Sequence, residues 1–253
     1  MRILHIGDVV GEGGCRCLMK CLPELKKYYS VDFCIVNGEN SAPGNGIDKN
    51  SAEMIFAAGA DVITNGNHVW QRQNAVEMLE DNPSILRPSN YPNAPGNGVC
   101  VVDCLREQAA VVCLMGRLTL DNVDDPFRHM DTLLKDISCE NIFVDFHAEA
   151  TSEKAALAYY LDGRVSSVVG THTHVQTADA RILQHGTAFI SDVGMTGPVN
   201  SVIGADVDMA IQRFLTSRPT RFVAAKGPCA VNGVFIQTSG GHAVEIEPFI
   251  KSE

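Results

Sequence analysis

A chain of 253 residues with 45% hydrophobic and 20% charged positions can bury one substantial core, and no linker-like change in composition divides it, so a single domain over 1–253 is expected. The net charge of −10 argues against a protein that grips long nucleic acid by its phosphates, which needs a clustered basic face, while a single small nucleotide remains an acceptable partner. No apolar run near the start is long enough for a signal-peptide core or a membrane span, and nine scattered cysteines without C-x-x-C spacing suit reduced thiols, so a cytoplasmic protein is expected.

Arg2 to Ile6 reads as a short strand that leaves through Gly7-Asp8. Gly14 to Tyr29 reads as a helix, kinked or restarted near Pro23, with Cys17, Leu18, Cys21, Leu22 and Leu25 on one side. That spacing favours packing over a thiolate site for the Cys15, Cys17 and Cys21 cluster. A second buried strand, Phe33 to Val36, ends in Asn37-Gly38-Glu39-Asn40. Asp48 is placed to cap a helix that Gly59 closes, and a third strand, Asp61 to Thr64, ends in Asn65-Gly66-Asn67-His68.

After a surface excursion over 88–98, Val99 to Cys104 and Ala109 to Leu114 resemble a hairpin with a charged turn. Pro126 opens a helix to about Ile137, Ile142 to Phe146 is a strand ending in His147, and Thr151 or Ser152 caps a helix through Leu161. The run Val168-Val169-Gly170-Thr171-His172-Thr173-His174 is a strand breaking into a histidine loop. Were that loop extended, His172 and His174 would point the same way. Thr187 to Ser191 is a further strand, Gly194 to Gly204 a glycine-rich loop, and Asp206 to Leu215 a helix. Three β segments close the chain, at Phe222 to Ala225, Ala230 to Gln237 and Ala243 to Phe249.

Alternation of strand, loop and helix is the pattern of a largely parallel sheet with helices on its faces, and such sheets bind ligands beyond the carboxyl ends of their strands. Five strand ends here carry Asp8, Glu39-Asn40, Asn67-His68, His147 and His172-x-His174. Taken singly, each has a bland reading as a cap, a turn residue or a hydrogen-bonded histidine. Together they form a carboxylate, amide and imidazole set suited to Mn²⁺, Fe²⁺, Zn²⁺ or Ni²⁺, with too many ligands for one tetrahedral ion. Two ions roughly 3.5 to 4 Å apart would use them and would clamp the attacking and leaving oxygens of a phosphoryl transfer.

In this order, Gly7-Asp8, Gly38-Glu39-Asn40, Gly66-Asn67-His68 and Gly170-Thr171-His172-Thr173-His174 resemble the calcineurin-like metallophosphoesterases. The longer runs around Asp8, Glu39, Asp145 to Lys154, Gly170 to Asp179 and Asp192 to Pro198 resemble the YmdB-type bacterial phosphodiesterases over most of the chain. The resemblance implies a four-layer αββα sandwich, two ions of iron or manganese, and hydrolysis of cyclic nucleotide phosphodiesters, with a hydroxide held between the ions as nucleophile.

Asp8 and His174, with Asn40, would hold one ion; Asn67, His147 and His172 would hold the other; Glu39 would bridge them; His68 would protonate the leaving oxygen. The departures from the wider superfamily are Asp8-Val9-Val10, where Asp-x-His is usual, and a glutamate in place of the bridging aspartate. A phosphomonoesterase or nucleotidase on the same scaffold, and a nucleotide-sensing regulatory protein, are the competing readings. The ring preference of the substrate, the metal and a homo-oligomeric state stay open. So do the roles of Arg87, Arg117 and Glu149, while Trp70 is expected to pack its loop.

Overall fold

The computed structural model describes residues 1–104, 107–221 and 223–253. Strand β1 (Arg2–Ile6) and the short β2 (Asp8–Val9) lead into α1 (Gly11–Tyr29), followed by β3 (Phe33–Asn37), α2 (Lys49–Ala58), β4 (Val62–Thr64) and α3 (Ala75–Asp81). Next come β5 (Val99–Cys104), β6 (Glu107–Met115), α4 (Pro126–Asp136), β7 (Asn141–His147), α5 (Thr151–Leu161) and β8 (Ser167–Thr171). The chain closes with β9 (Arg181–Ile182), β10 (Ala188–Ile190), β11 (Met195–Pro198), α6 (Val207–Thr216), β12 (Cys229–Ser239) and β13 (His242–Ser252).

These strands make two sheets. One runs β2-β11-β12-β1-β3-β4, with β13 added to the free side of β12; the other runs β5-β6-β7-β8-β10-β9. Within the first, β1, β3 and β4 are parallel and β12 lies antiparallel to β1. Within the second, β6, β7, β8 and β10 are parallel, flanked by antiparallel β5 and β9.

The period-2 alternation of side chains sorts the apolar residues into three layers. Ile3, Phe33, Ile35 and Val62 of the first sheet meet Val111, Cys113, Phe143 and Val169 of the second, which forms the seam between the sheets. The alternate residues Leu4, Ile6, Cys34 and Val36 pack outward under Leu18, Leu22 and Ile55 of α1 and α2. Val112, Leu114, Val144 and Phe146 do the same under Met130, Leu157 and Leu161 of α4 and α5. The result is the expected four-layer αββα sandwich. Truncating a seam residue such as Phe143 to alanine should cost about 3–5 kcal/mol.

Several local features depart from the sequence-based expectation. Helix α1 is unbroken through Pro23. The carbonyl four residues earlier belongs to Met19, which is 42% exposed, so water can serve the acceptor that proline leaves without a donor. Helix α5 starts at Thr151, but Ala150 occupies the cap position and no side chain caps it. The glycine-rich loop after β10 contains β11, which pairs in parallel with β2. Of the first closing β segment, Phe222 lies outside the described residues, and the following stretch contributes a single bridge, Ala205 to Ala224. Asp48 caps α2 through a reciprocal box with Ser51, and Gly59 ends it in the left-handed region. Cys15, Cys17 and Cys21 are buried against the core under α1, and burial pushes the Cys15 and Cys17 thiols up to about 12. Among the described residues, no helix is long and apolar enough to cross a membrane.

Candidate metal centre

The site begins where the apolar seam runs out at the carboxyl ends of the parallel strands. Along β7 the seam-facing positions run Phe143, Asp145, His147, and along β3 they run Phe33, Ile35, Asn37. The buried Asp145 gathers donors: the Thr171 hydroxyl at 2.7 Å, Asn37 Nδ2 at 3.1 Å, His5 Nε2 at 3.3 Å, and the Thr64 hydroxyl. Burial opposes its charge, yet His5, Thr64 and Thr171 together hold its carboxyl below the usual carboxylate range.

Having given its proton to Asp145, the Thr171 hydroxyl accepts from His147 Nδ1 at 2.9 Å. That contact fixes the tautomer of His147, with its hydrogen on Nδ1 and the Nε2 lone pair aimed into the cleft. Glu149 Oε2, 3.1 Å from His172 Nε2, selects the opposite arrangement there and leaves the lone pair on Nδ1. Glu149 therefore orients a site imidazole. The two lone pairs lie 3.0 Å apart, and Glu39 Oε2 is 3.1 Å from His147 Nε2. Ligand atoms of Glu39, His147 and His172 all fall within 4.8 Å of one another. Lone pairs that close repel, so a proton or a cation must sit among them.

A second convergence adjoins the first. His174 Nδ1 donates to the Ile203 carbonyl at 2.8 Å, which turns its Nε2 lone pair toward Asp8 Oδ1, 3.7 Å away. Asp8 Oδ2 accepts the backbone N–H of His172 at 3.2 Å. Among the described residues, Asp8 Oδ1, both carboxylate oxygens of Glu39 and Asn67 Oδ1 are buried without a hydrogen-bond partner. Buried oxygens left unpaired are costly, and a divalent cation would satisfy them. Hard carboxylate and amide oxygens mixed with imidazole nitrogens fit such an ion. Gly66 presses against the first set, because a Cβ there would lie 1.9 Å from Glu39 Oε2 and 2.3 Å from His147 Nε2.

Charge in the cleft is strongly coupled. Burial raises the Asp8 carboxyl, with Asp192 and Glu39 adding to the effect and His174 and His147 opposing it. Burial also works against Glu39, but His147 and His68 outweigh it and hold that carboxyl far below its usual range. Burial disfavours a charged His147, yet Glu39 and Asp8 raise it to about 9. His172 goes the other way, brought down to about 3 by burial and by the neighbouring His147.

His172 and His174 do not share one direction, as an extended loop would require. The strand stops at Thr171, and the two residues have φ of 99° and 65°. Left-handed turns send His172 to the Glu39 and His147 group and His174 to Asp8. The turn is held from below by Asp192, which accepts the Thr173 and Gly194 N–H groups, each at 2.9 Å. Asp192 is itself paired at 2.9 Å with Lys154, both side chains being buried. Lys154 and Asp192, like Asp145 and Thr171, lay in the resembling motifs without a role. The signal for Asp145 was its place two residues before His147 on one strand.

His68 Nδ1 lies 2.8 Å from Asn40 Oδ1 and 3.1 Å from Glu39 Oε1. Asn40 turns its oxygen to His68 and its amide NH₂ to His174 Nε2 at 3.2 Å. It thus links the two histidines, with its oxygen away from the Asp8 group. His68, Asn40, His172 and His174 line one side of a cavity of about 490 Å³ whose other side is α6 and the segments flanking it. A larger cavity, about 640 Å³, lies between the end of α1 and β13 and contains none of these residues. Neither arginine considered for the cleft belongs to it: Arg87 serves the carbonyls of Pro88, Ser89, Ala94 and Pro95, and Arg117 pairs with Asp125 at 3.1 Å. Trp70 packs edge-on against Tyr91.

Two facing sheets sandwiched by helices, with carboxylates and imidazoles at their strand ends, define the architecture of the calcineurin-like phosphoesterases. Residues 4–249 match the family described as YmdB-like proteins, and the chain belongs to that family. It is 48% identical over 239 residues, 93% of this chain and 90% of the relative, to the 2′,3′-cyclic-nucleotide 2′-phosphodiesterase of Bacillus subtilis. The crystal structure of a hypothetical protein from Thermus thermophilus superimposes with a TM-score of 0.96 at 44% identity, covering 100% of both chains. That of a novel phosphatase from Mycoplasma pneumoniae gives 0.93 at 33% identity, covering 100% of this chain and 93% of the other.

Proposed function

We propose that the cleft hydrolyses small phosphodiesters, nucleoside 2′,3′-cyclic phosphates first among them, with two divalent transition-metal ions as cofactors. What carries the reading is the double convergence of buried, unpartnered oxygens and imidazole lone pairs, one around Glu39, His147 and His172 and one around Asp8 and His174. The 2′,3′-cyclic-nucleotide 2′-phosphodiesterase of Bacillus subtilis, 48% identical to this chain, supports the substrate class. The donor set suits manganese, iron, zinc or nickel, and the family resemblance favours iron and manganese among them.

Asp8 and His174 would hold one ion, His147, His172 and Asn67 the other, and Glu39 would bridge. Such ions supply Lewis-acid stabilisation of the charge that develops on the phosphoryl oxygens, and they lower the pKa of water. The chain supplies the rest. His68, anchored at Nδ1 by Asn40 and lining the cavity, would donate a proton from Nε2 to the departing ribose oxygen. Glu149 and Thr171 hold the two imidazoles in register. A ring diester keeps its leaving oxygen tethered, so a cavity of about 490 Å³ accommodates both ester oxygens without an extended groove.

The test compares metal-loaded protein on 2′,3′-cyclic AMP, 3′,5′-cyclic AMP, p-nitrophenyl phosphate and a single-stranded oligoribonucleotide, together with metal content. Two ions per chain and preference for a cyclic diester are expected. His68→Ala should lower kcat about 10²- to 10⁴-fold while retaining both ions. Faster turnover of the monoester would establish a phosphatase instead, and loss of metal from the His68 variant would make His68 a ligand.

A further inference from the structure

The cavity has two unlike sides, and only one belongs to the chemistry. Opposite the histidines stand Met209, Ala210, Arg213 and Phe214 of α6, with Arg221 beyond the helix. Positions 209, 210, 213 and 214 share one face of a helix. That face combines thioether, aromatic ring and guanidinium. The guanidinium ion pairs among the described residues belong to Arg16, Arg117 and Arg164, which leaves Arg213 and Arg221 without a carboxylate. Both guanidinium groups line the cavity and are free to meet a ligand in it. A helix that buries none of its ten residues in the protein is likewise short of packing partners.

We propose that this face of α6 is the binding wall for the nucleoside half of the substrate, resting on the phosphodiesterase reading above. With the cyclic phosphate at the histidine side, the base projects across the cavity toward α6. Phe214 and Met209 offer it apolar contact. The Arg213 guanidinium lies along its π face or donates to its ring nitrogens and carbonyls. Purines, with the larger face, gain more than pyrimidines. The wall therefore sets which diesters bind, while leaving the bond cleavage to the other side.

Because α6 buries no side chain, substitutions on it do not threaten the fold. The experiment compares Phe214→Ala and Arg213→Ala with the unsubstituted, metal-loaded protein on 2′,3′-cyclic AMP and on the 2′,3′-cyclic phosphate of methyl riboside, which has no base. Calorimetric titration with adenosine 3′-phosphate and ribose 3-phosphate provides a readout independent of turnover. The ratio of kcat/KM for nucleotide over base-less diester should fall at least about tenfold in either variant, through KM, and the preference for adenosine 3′-phosphate should fall with it. Equal ratios in variants and unsubstituted protein, with both diesters opened, overturn the wall alone. Failure of the unsubstituted protein to open either ring removes the phosphodiesterase reading and the wall with it.

Discussion

The two sides of the cleft are built to opposite standards. On the histidine side, Asp8, Glu39 and His147 are fully buried, and their neighbours are held in turn by Asp145, Asp192 and Lys154. On the α6 side, Phe214 is 80% and Leu215 74% exposed. Groups that must meet reacting atoms tolerate misplacement of only about half an ångström, which requires two layers of support. A surface that accepts different bases gains from the opposite, since weakly packed elements can adjust to what they bind.

The sharpest way to break this contrast is Gly66→Ala. Its methyl group would occupy the space beside Glu39 Oε2 and His147 Nε2. Elemental analysis should show loss of metal, and turnover should drop to background; a variant that keeps two ions would mean the ions sit elsewhere.

Next is Lys154→Met, which leaves Asp192 as a buried carboxylate without its cation. Breaking one partner of a buried pair costs about 3–5 kcal/mol. Urea unfolding of the metal-free protein should show a loss of that size, and a change below about 1 kcal/mol would dissociate the pair from the loop it supports.

pH sharpens the same side. His147 is raised from 6.5 to about 9 in the folded, metal-free protein, opposed by burial but driven by Glu39 and Asp8. A raised pKa means that its contribution is fully present below 6.5 and is lost as pH rises through about 9. His172, held down to about 3, stays neutral across that window. Metal binding must displace the His147 proton, so apparent metal affinity should climb by up to about tenfold per pH unit over the same interval. Calorimetry in buffers of different ionisation enthalpy would register the released proton; affinity independent of pH would argue against His147 as a ligand.

The smallest effect belongs to α6 outside the wall, at a position that does not line the cavity. Leu215→Ser on α6 should alter unfolding free energy by no more than about 0.5 kcal/mol, as at other exposed positions. A larger loss measured by urea unfolding would show that α6 carries stability its exposure does not suggest.

Much of the histidine side was legible because strand ends carry it. Apolar runs of four or five residues closing in Gly-Asp, Gly-Glu-Asn, Gly-Asn-His or His mark both the strand and the group that follows, and the sandwich places them together. The conformation of the His172 to His174 loop was not legible. Alternation holds only for extended backbone, and Asp192 imposes left-handed turns from a segment twenty residues downstream of His172. Nor was β11, whose Gly197 and Pro198 look like loop residues; it exists because β2 and β12 supply partners on both sides. The Asp145 network stayed hidden because a buried acid in an apolar strand has no local sign of the hydroxyls and imidazole that other strands bring to it. Asn40, read as an oxygen ligand, has its oxygen on His68 and its amide NH₂ on His174, contacts that no local pattern announces.

Strand β1 takes its antiparallel partner from β12, with Arg2 opposite Gln237 and Ile6 opposite Gly233, and the Met1 amine bonds to the Thr238 carbonyl 237 positions away. During vectorial synthesis this pairing can form only once β12 has been made. A nascent chain already displaying Glu39, His147 and His172 still lacks the strand that closes over β1 and supports β11 beside Asp8. Loop-closure entropy must be met before so distant a contact can repay it, which places assembly of the Asp8 half late in folding. Pulse-labelled hydrogen exchange should find the β1 amides gaining protection together with those of β12, and after β6 and β7; early protection of β1 alone would contradict that order.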